Sequence, residues 1–181
     1  MGRPEELNCS IIRWHCSRNK DIMVTPRITV LKEKKLVGKC MGMSLLNDKT
    51  GELWNGFIPL VNRISNRSNE DKIALQRYPN TYFDSFNPNL EFVKWAAVEV
   101  TDFKGMPEDF ETFVLAGGLY AVFDYKGSSA DKRIFEYIYT SWLPISGYRL
   151  DERPHFEVLG KKYKNNDPDS EEEIWIPIQP I

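Results

Sequence analysis

The sequence has no excess of charge of either sign. Lysine and arginine together number 24 and aspartate and glutamate 26, so the formal net charge at pH 7 is −2. A chain this close to neutrality has no general electrostatic attraction to nucleic acid or to an anionic membrane surface. Basic stripes with interleaved aromatic residues, which nucleic-acid-binding proteins show, are also missing. We therefore expect no direct nucleic-acid partner and no membrane partner.

Long apolar runs and paired cysteines are missing as well. No apolar run has the length of a membrane span or of the core of a secretory signal. The three cysteines, Cys9, Cys16 and Cys40, lack CxxC spacing, and we interpret them as reduced thiols of a cytoplasmic protein. Cys9 and Cys16 share one short polar segment with His15, which does not match the four-ligand patterns of structural zinc. We predict no metal site.

Sequence motifs for cofactors and for nucleophilic catalysis are missing too. There is no P-loop and no GxGxxG after a strand, because Gly117-Gly118 lacks a third glycine and a following helix start. With two histidines in the chain, no Ser-His-Asp or Cys-His arrangement can be argued from spacing. We therefore predict no bound cofactor.

The sequence does contain a repeated order of predicted secondary-structure elements, which occurs once in each half of the chain. Apolar alternation, helical periodicity and turn residues predict strand, helix, strand and strand in each half. In the first half these are a long strand at 27–45, a helix at 52–67 with Pro59 inside it, strand pieces at 73–79 and 82–86, and a strand at 94–101. In the second half they are a strand at 113–125 with a bend at the double glycine, a helix at 130–143, and strands at 154–159 and 172–178.

Elements in this ratio predict the α+β class, with an antiparallel sheet that carries both helices on one face. The opposite face is then either exposed to solvent or shaped into a groove. Residues 27–181 form the predicted domain. Residues 1–26 are predicted as a partly ordered N-terminal extension, too short to hold a helix-turn-helix. We expect no DNA binding by this chain alone.

One acidic residue stands out among the aromatic residues of the second half. Glu157 lies between Phe156 and Val158 on a predicted strand. Strand alternation puts His155 and Glu157 on one face and Phe156 and Val158 on the other, which we expect to meet the helices. Glu157 is then either a surface acid paired with a nearby arginine, or a groove acid whose pKa is raised by desolvation.

Six segments of the chain resemble the GyrI-like small-molecule-binding domain, which is also the effector-binding half of some AraC-type and MerR-type multidrug-responsive regulators. They are, in chain order, LWNGF at 53–57, WAAVEV at 95–100, GLYAVF at 118–123 with a glycine at 127, YTSWLPISGY at 139–148, RPHFE at 153–157 and EEIWIPI at 172–178. The resemblance implies two strand–helix–strand–strand units related by a pseudo-twofold axis, with a ligand groove on the face away from the helices. It also implies that Glu157 is the buried glutamate that meets lipophilic, often cationic, aromatic ligands.

The predicted ligand-binding residues are this acid and seven aromatic residues, for which packing in the core is the alternative: Glu157, Trp95, Tyr120, Tyr137, Trp142, Trp175, Trp54 and Phe57. Glu99 shares the predicted face of Trp95 and is a candidate second acid of the groove.

Three functions stay open from the sequence. The first is a binding module for a small lipophilic ligand, aromatic or cationic, held by ring faces and by Glu157. The second is a hydrolase of cyclopropane-bearing or similar electrophilic toxins, which the resemblance implies because some stand-alone members of the family hydrolyse cyclopropane-bearing DNA-alkylating compounds. Here Glu157 would act as general base, and Tyr137 or Trp142 would hold the developing oxyanion. The third is a protein-interaction domain acting on a partner such as DNA gyrase, since a founding member of the family is linked to gyrase inhibition.

Overall fold

The computed structural model describes residues 24–181, so the metal-ligand candidates Cys9, His15 and Cys16 and almost all of the predicted extension at 1–26 lie outside the described residues. The strands are β1 (Arg27–Leu31), β2 (Lys34–Met43), β3 (Lys72–Arg77), β4 (Phe92–Val100), β5 (Glu111–Leu115), β6 (Gly118–Lys126), β7 (Tyr148–Leu150), β8 (His155–Leu159) and β9 (Glu171–Pro180). The helices are α1 (Thr50–Phe57), continued by a 3₁₀ segment (Ile58–Arg63), and α2 (Arg133–Glu136), continued by a π-helical turn (Tyr137–Trp142) and a 3₁₀ turn (Leu143–Ile145).

The described strands form one antiparallel sheet in which the two halves of the chain correspond. The order is β1-β6-β9-β8-β3-β4-β2-β5, and β7 pairs with β9 outside this path. Read from the two ends, β6, β9 and β8 of the second half occupy the places that β2, β4 and β3 of the first half occupy. The predicted α+β class and the two strand–helix–strand–strand units are confirmed.

A two-stranded ladder joins the two ends of the sheet. β1 continues into β2, and β5 into β6, and these long strands pair with each other. Before the bend Leu31 pairs with Gly118, and after it Lys34 pairs with Leu115 in the same register. The predicted single strand at 27–45 therefore turns at residues 32–33. Because β1 and β5 are the end strands of the sheet, this ladder draws its two ends together on one side.

The sheet has a helix-covered face and a helix-free face. Along β4, Ala96 and Val98 join Phe57 of α1 in one buried cluster. Ile138, from the turn after α2, joins Ile174 of β9 in another. The helix-free face has a core of its own, which contains Leu31, Leu36, Ile73, Leu75, Trp95, Ala97, Leu115, Tyr120, Val122 and Phe156. Both helices thus pack on one face, as predicted.

The first helix is shorter than the predicted 52–67. α1 ends at Phe57, and the chain continues as a 3₁₀ helix with Pro59 in its first turn. Proline has no amide hydrogen to donate and its ring clashes with the preceding turn, so α-helical hydrogen bonding does not continue through it. No helix among residues 24–181 has the length and apolarity needed to cross a membrane.

The predicted strand at 82–86 is wrong. These residues lie in tight turns, in which the Tyr82 amide donates to the Pro79 carbonyl at 2.8 Å and the Asp84 amide to the Thr81 carbonyl at 3.3 Å. The chain between β3 and β4 is therefore a loop. Tyr82 packs against the core under α1, so this loop lies over the helix-covered face.

Substitution of Gly38 on β2 tests how closely β2 packs against β4. A Cβ at this position would lie 2.1 Å from the carbonyl oxygen of Ala96, a backbone atom that cannot move aside. We expect Gly38→Ala to lower the free energy of unfolding by about 3 kcal/mol, as overpacking does, in chemical denaturation. Gly42→Ala on the same strand is the control, because nothing lies within 4 Å of a Cβ there. Equal losses in the two variants would contradict this packing.

Candidate functional site

Glu157 lies in the middle of the sheet, on the helix-covered face. On β8 it pairs with Ala74 of β3 on one side and with Ile174 of β9 on the other. Ile174 is part of the core under α2. β3 and β8 are the two central strands, one from each half of the chain. Glu157 therefore lies where the two halves meet.

The two faces of β8 differ from the sequence expectation in one respect. His155 and Glu157 share a face, as predicted, but Phe156 stacks on Trp175 at 5.1 Å in the core of the helix-free face. The expectation that Phe156 and Val158 meet the helices is wrong. Strand alternation tells which residues share a face. Because both faces of this sheet bury apolar side chains, polarity does not tell which of them the helices cover.

Five rings beside Glu157 form what we call the aromatic cage: Tyr78, Tyr82, Phe83, Tyr139 and His155. The ring centroids of Tyr78 and Tyr82 lie 4.4 Å apart, and Phe83 stacks on His155 at 5.2 Å with 9° between the ring planes. Tyr139 approaches Phe83 to 5.4 Å. The first three rings follow β3, Tyr139 lies in the π-helical turn and His155 opens β8, so both halves of the chain build the cage.

His155 is held neutral inside the cage. It is buried, and burial lowers its imidazole pKa to about 3. Its Nδ1 atom shares a 2.9 Å hydrogen bond with the Tyr139 hydroxyl. Burial first, and then the negative charge of Glu157 and the neighbouring phenols, raise the pKa of Tyr139 and of Tyr78. At neutral pH the cage therefore presents neutral rings and hydroxyls, without a positive charge of its own.

Two carboxylates project from the helix-covered face, Glu157 beside the cage and Glu172 on the side of Glu157 away from His155. The Oε1 atom of Glu157 accepts a 3.3 Å hydrogen bond from the Gln76 side-chain amide. Glu172 of β9, on the same face, is 8% exposed, and its Oε2 atom has no hydrogen-bond partner. Burial and then the charge of Glu157 raise the Glu172 pKa to about 7, against the charges of Lys132 and Lys94. In the described part of the chain neither carboxylate forms a salt bridge.

Three of the predicted binding residues lie on the helix-free face. Trp95 and Tyr120 belong to its buried core, and Trp175 packs against that core. The Tyr120 hydroxyl donates to the Pro154 carbonyl at 3.1 Å, which ties this ring to the scaffold. The sheet separates all three rings from Glu157.

The other four predicted aromatic residues belong to the cores under the helices. The rings of Trp54 and Phe57 meet at 6.1 Å in the cluster under α1. Tyr137 and Trp142 pack in the cluster under α2. None of these four rings is part of the aromatic cage, so of the eight predicted residues the structure places Glu157 alone beside it.

Sequence reasoning missed the cage residues of the loop after β3, and it missed Glu172. The available signal was an aromatic-rich segment with Pro79 at one end and Pro88 at the other. Prolines at both ends favour a loop over a strand, and an aromatic-rich loop next to a central strand is a natural wall for a site. Glu172 gave no such signal, because it lies in a run of three glutamates that resembles a solvated surface.

A separate cleft of about 480 Å³ opens on the helix-free face, with Trp175 in its lining. Two of its acids are already paired: Lys34 donates to Glu99 at 2.5 Å, and Arg27 pairs with Glu173. A paired acid offers less to a cationic ligand than a carboxylate without a cationic partner, such as Glu157.

Comparison with known proteins finds a protein-family model, a curated relative and several solved structures that resemble this chain. The family model described as Cass2, integron-associated effector binding protein, matches residues 27–178. The transcriptional regulator BrlR of Pseudomonas aeruginosa is 30% identical over 135 residues, which are 72% of this chain and 47% of BrlR. The chain thus spans about half the length of this curated relative.

Two solved structures show the fold. SAV2435 bound to tetraphenylphosphonium is 15% identical with a TM-score of 0.65, and the match covers 87% of this chain and 94% of SAV2435. A hydrolase from Listeria innocua is 10% identical with a TM-score of 0.57, covering 86% and 92% of the two chains. At these identities the likeness extends to the fold alone.

The raised pKa of Glu172 makes the stability of the fold depend on pH. The ordinary value is 4.5 and the folded value about 7, so the folded chain holds this proton more tightly and stability falls as pH rises through that window. The full effect is roughly 3 kcal/mol. We expect Glu172→Gln to resemble the wild type near pH 4.5 and to melt at higher temperature at pH 8, in thermal unfolding followed by circular dichroism.

Glu171→Gln is the matched control for this measurement. Its carboxylate is 41% exposed and pairs with Lys162 on the surface, so its removal should leave the pH dependence as in the wild type. A stability difference for Glu172→Gln that does not grow between pH 4.5 and pH 8 would show that the carboxyl is not desolvated.

Proposed function

Because the chain belongs to the Cass2 family of integron-associated effector-binding proteins, we propose that it binds a bulky lipophilic organic cation in the aromatic cage. Glu157 faces the positive charge of the ligand, and the rings of the cage contact its apolar surface. One observation carries the proposal: a carboxylate at the centre of the sheet lies beside five rings and, among the described residues, has no cationic partner.

The energetics favour a cation over a neutral ligand of the same size. A partly buried carboxylate without a cationic partner has lost hydration, and the charge of a ligand compensates for that loss. A cation over a desolvated ring face contributes roughly 2 kcal/mol, and the cage offers several faces. Because His155 stays neutral, the cage does not repel the ligand charge.

The shape of the proposed ligand follows from the same contacts. The cage brings five rings next to the Glu157 carboxylate, and its own polar groups are phenol hydroxyls and a neutral imidazole. A ligand without hydrogen-bond donors therefore loses little here, and a bulky quaternary cation fits the chemistry. Tetraphenylphosphonium, the ligand in the SAV2435 structure, is such a cation and serves as the probe.

We expect tetraphenylphosphonium to bind the wild type and to bind Glu157→Gln at least tenfold more weakly, a difference of about 1.4 kcal/mol or more. The amide keeps the shape of the side chain and removes its charge, so the loss reports on the charge contact. Isothermal titration calorimetry at pH 7.5 measures both dissociation constants.

Two variants on the opposite face serve as controls. Trp175→Phe and Glu99→Gln alter the predicted groove of the helix-free face and leave the cage untouched. We expect both to bind the probe as the wild type does. Loss of binding in these variants, with normal binding by Glu157→Gln, would place the site on the helix-free face.

Hydrolysis in the same cage is the second candidate function, and one observation favours it. The hydrogen bond to His155 fixes the Tyr139 hydroxyl close to Glu157. A carboxylate base and a positioned hydroxyl donor are the two groups that water attack on a strained electrophile needs. Incubation with a cyclopropane-bearing alkylating compound distinguishes the functions. A ring-opened water adduct that Glu157→Gln fails to form supports hydrolysis, and binding without turnover supports the binding function.

A further inference from the structure

Glu157 and Glu172 are neighbours on the helix-covered face. Glu157 pairs with Ile174 across β8 and β9, and Glu172 lies two residues before Ile174. The two acids are therefore diagonal neighbours on an antiparallel strand pair, a relation that separates residues by roughly 7–8 Å. Both project from the same side of the sheet. Two separate carboxylates thus project from one face of the sheet, with Glu157 between the cage residue His155 and Glu172.

Glu172 is the acid that the single-cation function does not use. It is more than nine-tenths buried, and its Oε2 atom lacks a hydrogen-bond partner. Buried polar atoms without a hydrogen-bond partner are rare in folded proteins, so each one needs a structural or functional explanation. Glu172 lies on β9, an interior strand of the sheet between β6 and β8. Because burial of a carboxylate costs free energy, a neutral residue at this position would stabilise the fold more.

Glu172 shares the lining of one cleft with Lys126, Lys161 and Lys162, of which Lys126 pairs with Asp169 and Lys162 with Glu171. Further charged and titratable groups act on it from other elements. They are Lys94 of β4, Lys132 ahead of α2, Glu157 of β8, Tyr125 of β6 and Tyr163 of the loop before β9. Lys94 is engaged elsewhere, since its Nζ donates to the Thr50 hydroxyl at 3.1 Å. Lys132 donates to the Ser129 carbonyl at 3.1 Å. Both lysines act on Glu172 from a distance and leave the direct contact open.

We propose that the site prefers dicationic ligands, with one positive centre at Glu157 and the second at Glu172. This inference rests on the proposed binding of organic cations in the cage. A ligand with two quaternary nitrogens joined by a short arm matches the arrangement, because a three-carbon arm separates the charges by roughly 5 Å and the glutamate side chains cover the remaining distance.

The second contact is expected to strengthen as pH rises. A positive centre at Glu172 binds the ionised carboxyl, and the pKa of about 7 leaves roughly one molecule in ten ionised at pH 6 and nine in ten at pH 8. The preference for a dication should therefore grow by up to about tenfold over this range. A second contact made by an ordinary surface acid would show no such change, because that acid is ionised throughout.

Ethidium and propidium form a matched pair of probes. They share the phenanthridinium ring system and its positive charge, and propidium carries a second quaternary nitrogen on a propyl arm. We expect the wild type to bind propidium at least fivefold more tightly than ethidium at pH 8, in fluorescence titration at fixed ionic strength. In Glu172→Gln the ratio of the two dissociation constants should fall to about one. Glu171→Gln, one residue away, should keep the wild-type ratio.

The outcomes separate this inference from the function on which it rests. If ethidium binds and propidium binds no more tightly, the dication preference is wrong and cation binding stands. If Glu172→Gln keeps the preference, another group makes the second contact and the assignment is wrong. If ethidium, propidium and tetraphenylphosphonium all fail to bind, both proposals are wrong. Thermal unfolding checks that each variant is folded.

Discussion

The antiparallel ladder between β1–β2 and β5–β6 is the constraint on which the rest of the structure depends. Each long strand belongs to both ends of the sheet, so the ladder joins the first half of the chain to the second. Its bend closes the helix-free side, which fills with large buried side chains such as Trp95, Tyr120 and Phe156. On the other face α1 packs over β2 and β4, and the helical segment after α2 packs over β6 and β9. The central strands β3 and β8 lie between these two cores, and there Glu157 and the rings of the cage come together.

The groups gathered between the two cores are ones that stability alone would not favour. Glu172 has its pKa raised to about 7, so it destabilises the fold as pH rises toward that value. His155 has its pKa lowered to about 3, so the fold loses stability as pH falls from the ordinary histidine value of 6.5. Glu172 thus opposes folding as the pH rises and His155 opposes it as the pH falls, and both lie on the helix-covered face of the sheet. Such local conflicts are expected where a site binds something, since natural proteins give up stability at functional sites.

Residue patterns predicted the repeated order of elements, the α+β class and the helices on one face, and family membership confirms the resemblance to GyrI-like domains. The alternation along β8 correctly placed His155 with Glu157. It failed on the choice of face, because the ladder buries the helix-free side and makes both faces apolar. The cage could not be predicted from the sequence. The stacking of Phe83 on His155 depends on how the two halves meet, and the contact between Tyr139 and His155 depends on how the π-helical turn packs against β8 within the second half. The binding roles of the predicted aromatic residues stay predictions.

The two halves of the chain differ in the side chains that they place opposite Glu157. β3 and β8 are equivalent strands, yet the residue opposite Glu157 on β3 is Ala74, and the next one across, on β4, is Ala96. Had the halves been alike in sequence, an acid would face an acid at this position, and the two would share a proton or repel. Instead the first half supplies small side chains in the row of Glu157 and aromatic side chains in the loop above it. The asymmetry places the Glu157 carboxylate in a row with Ala74 and Ala96 and beside the rings of the cage, so the proposed cation would meet a carboxylate that has no second acid opposite it.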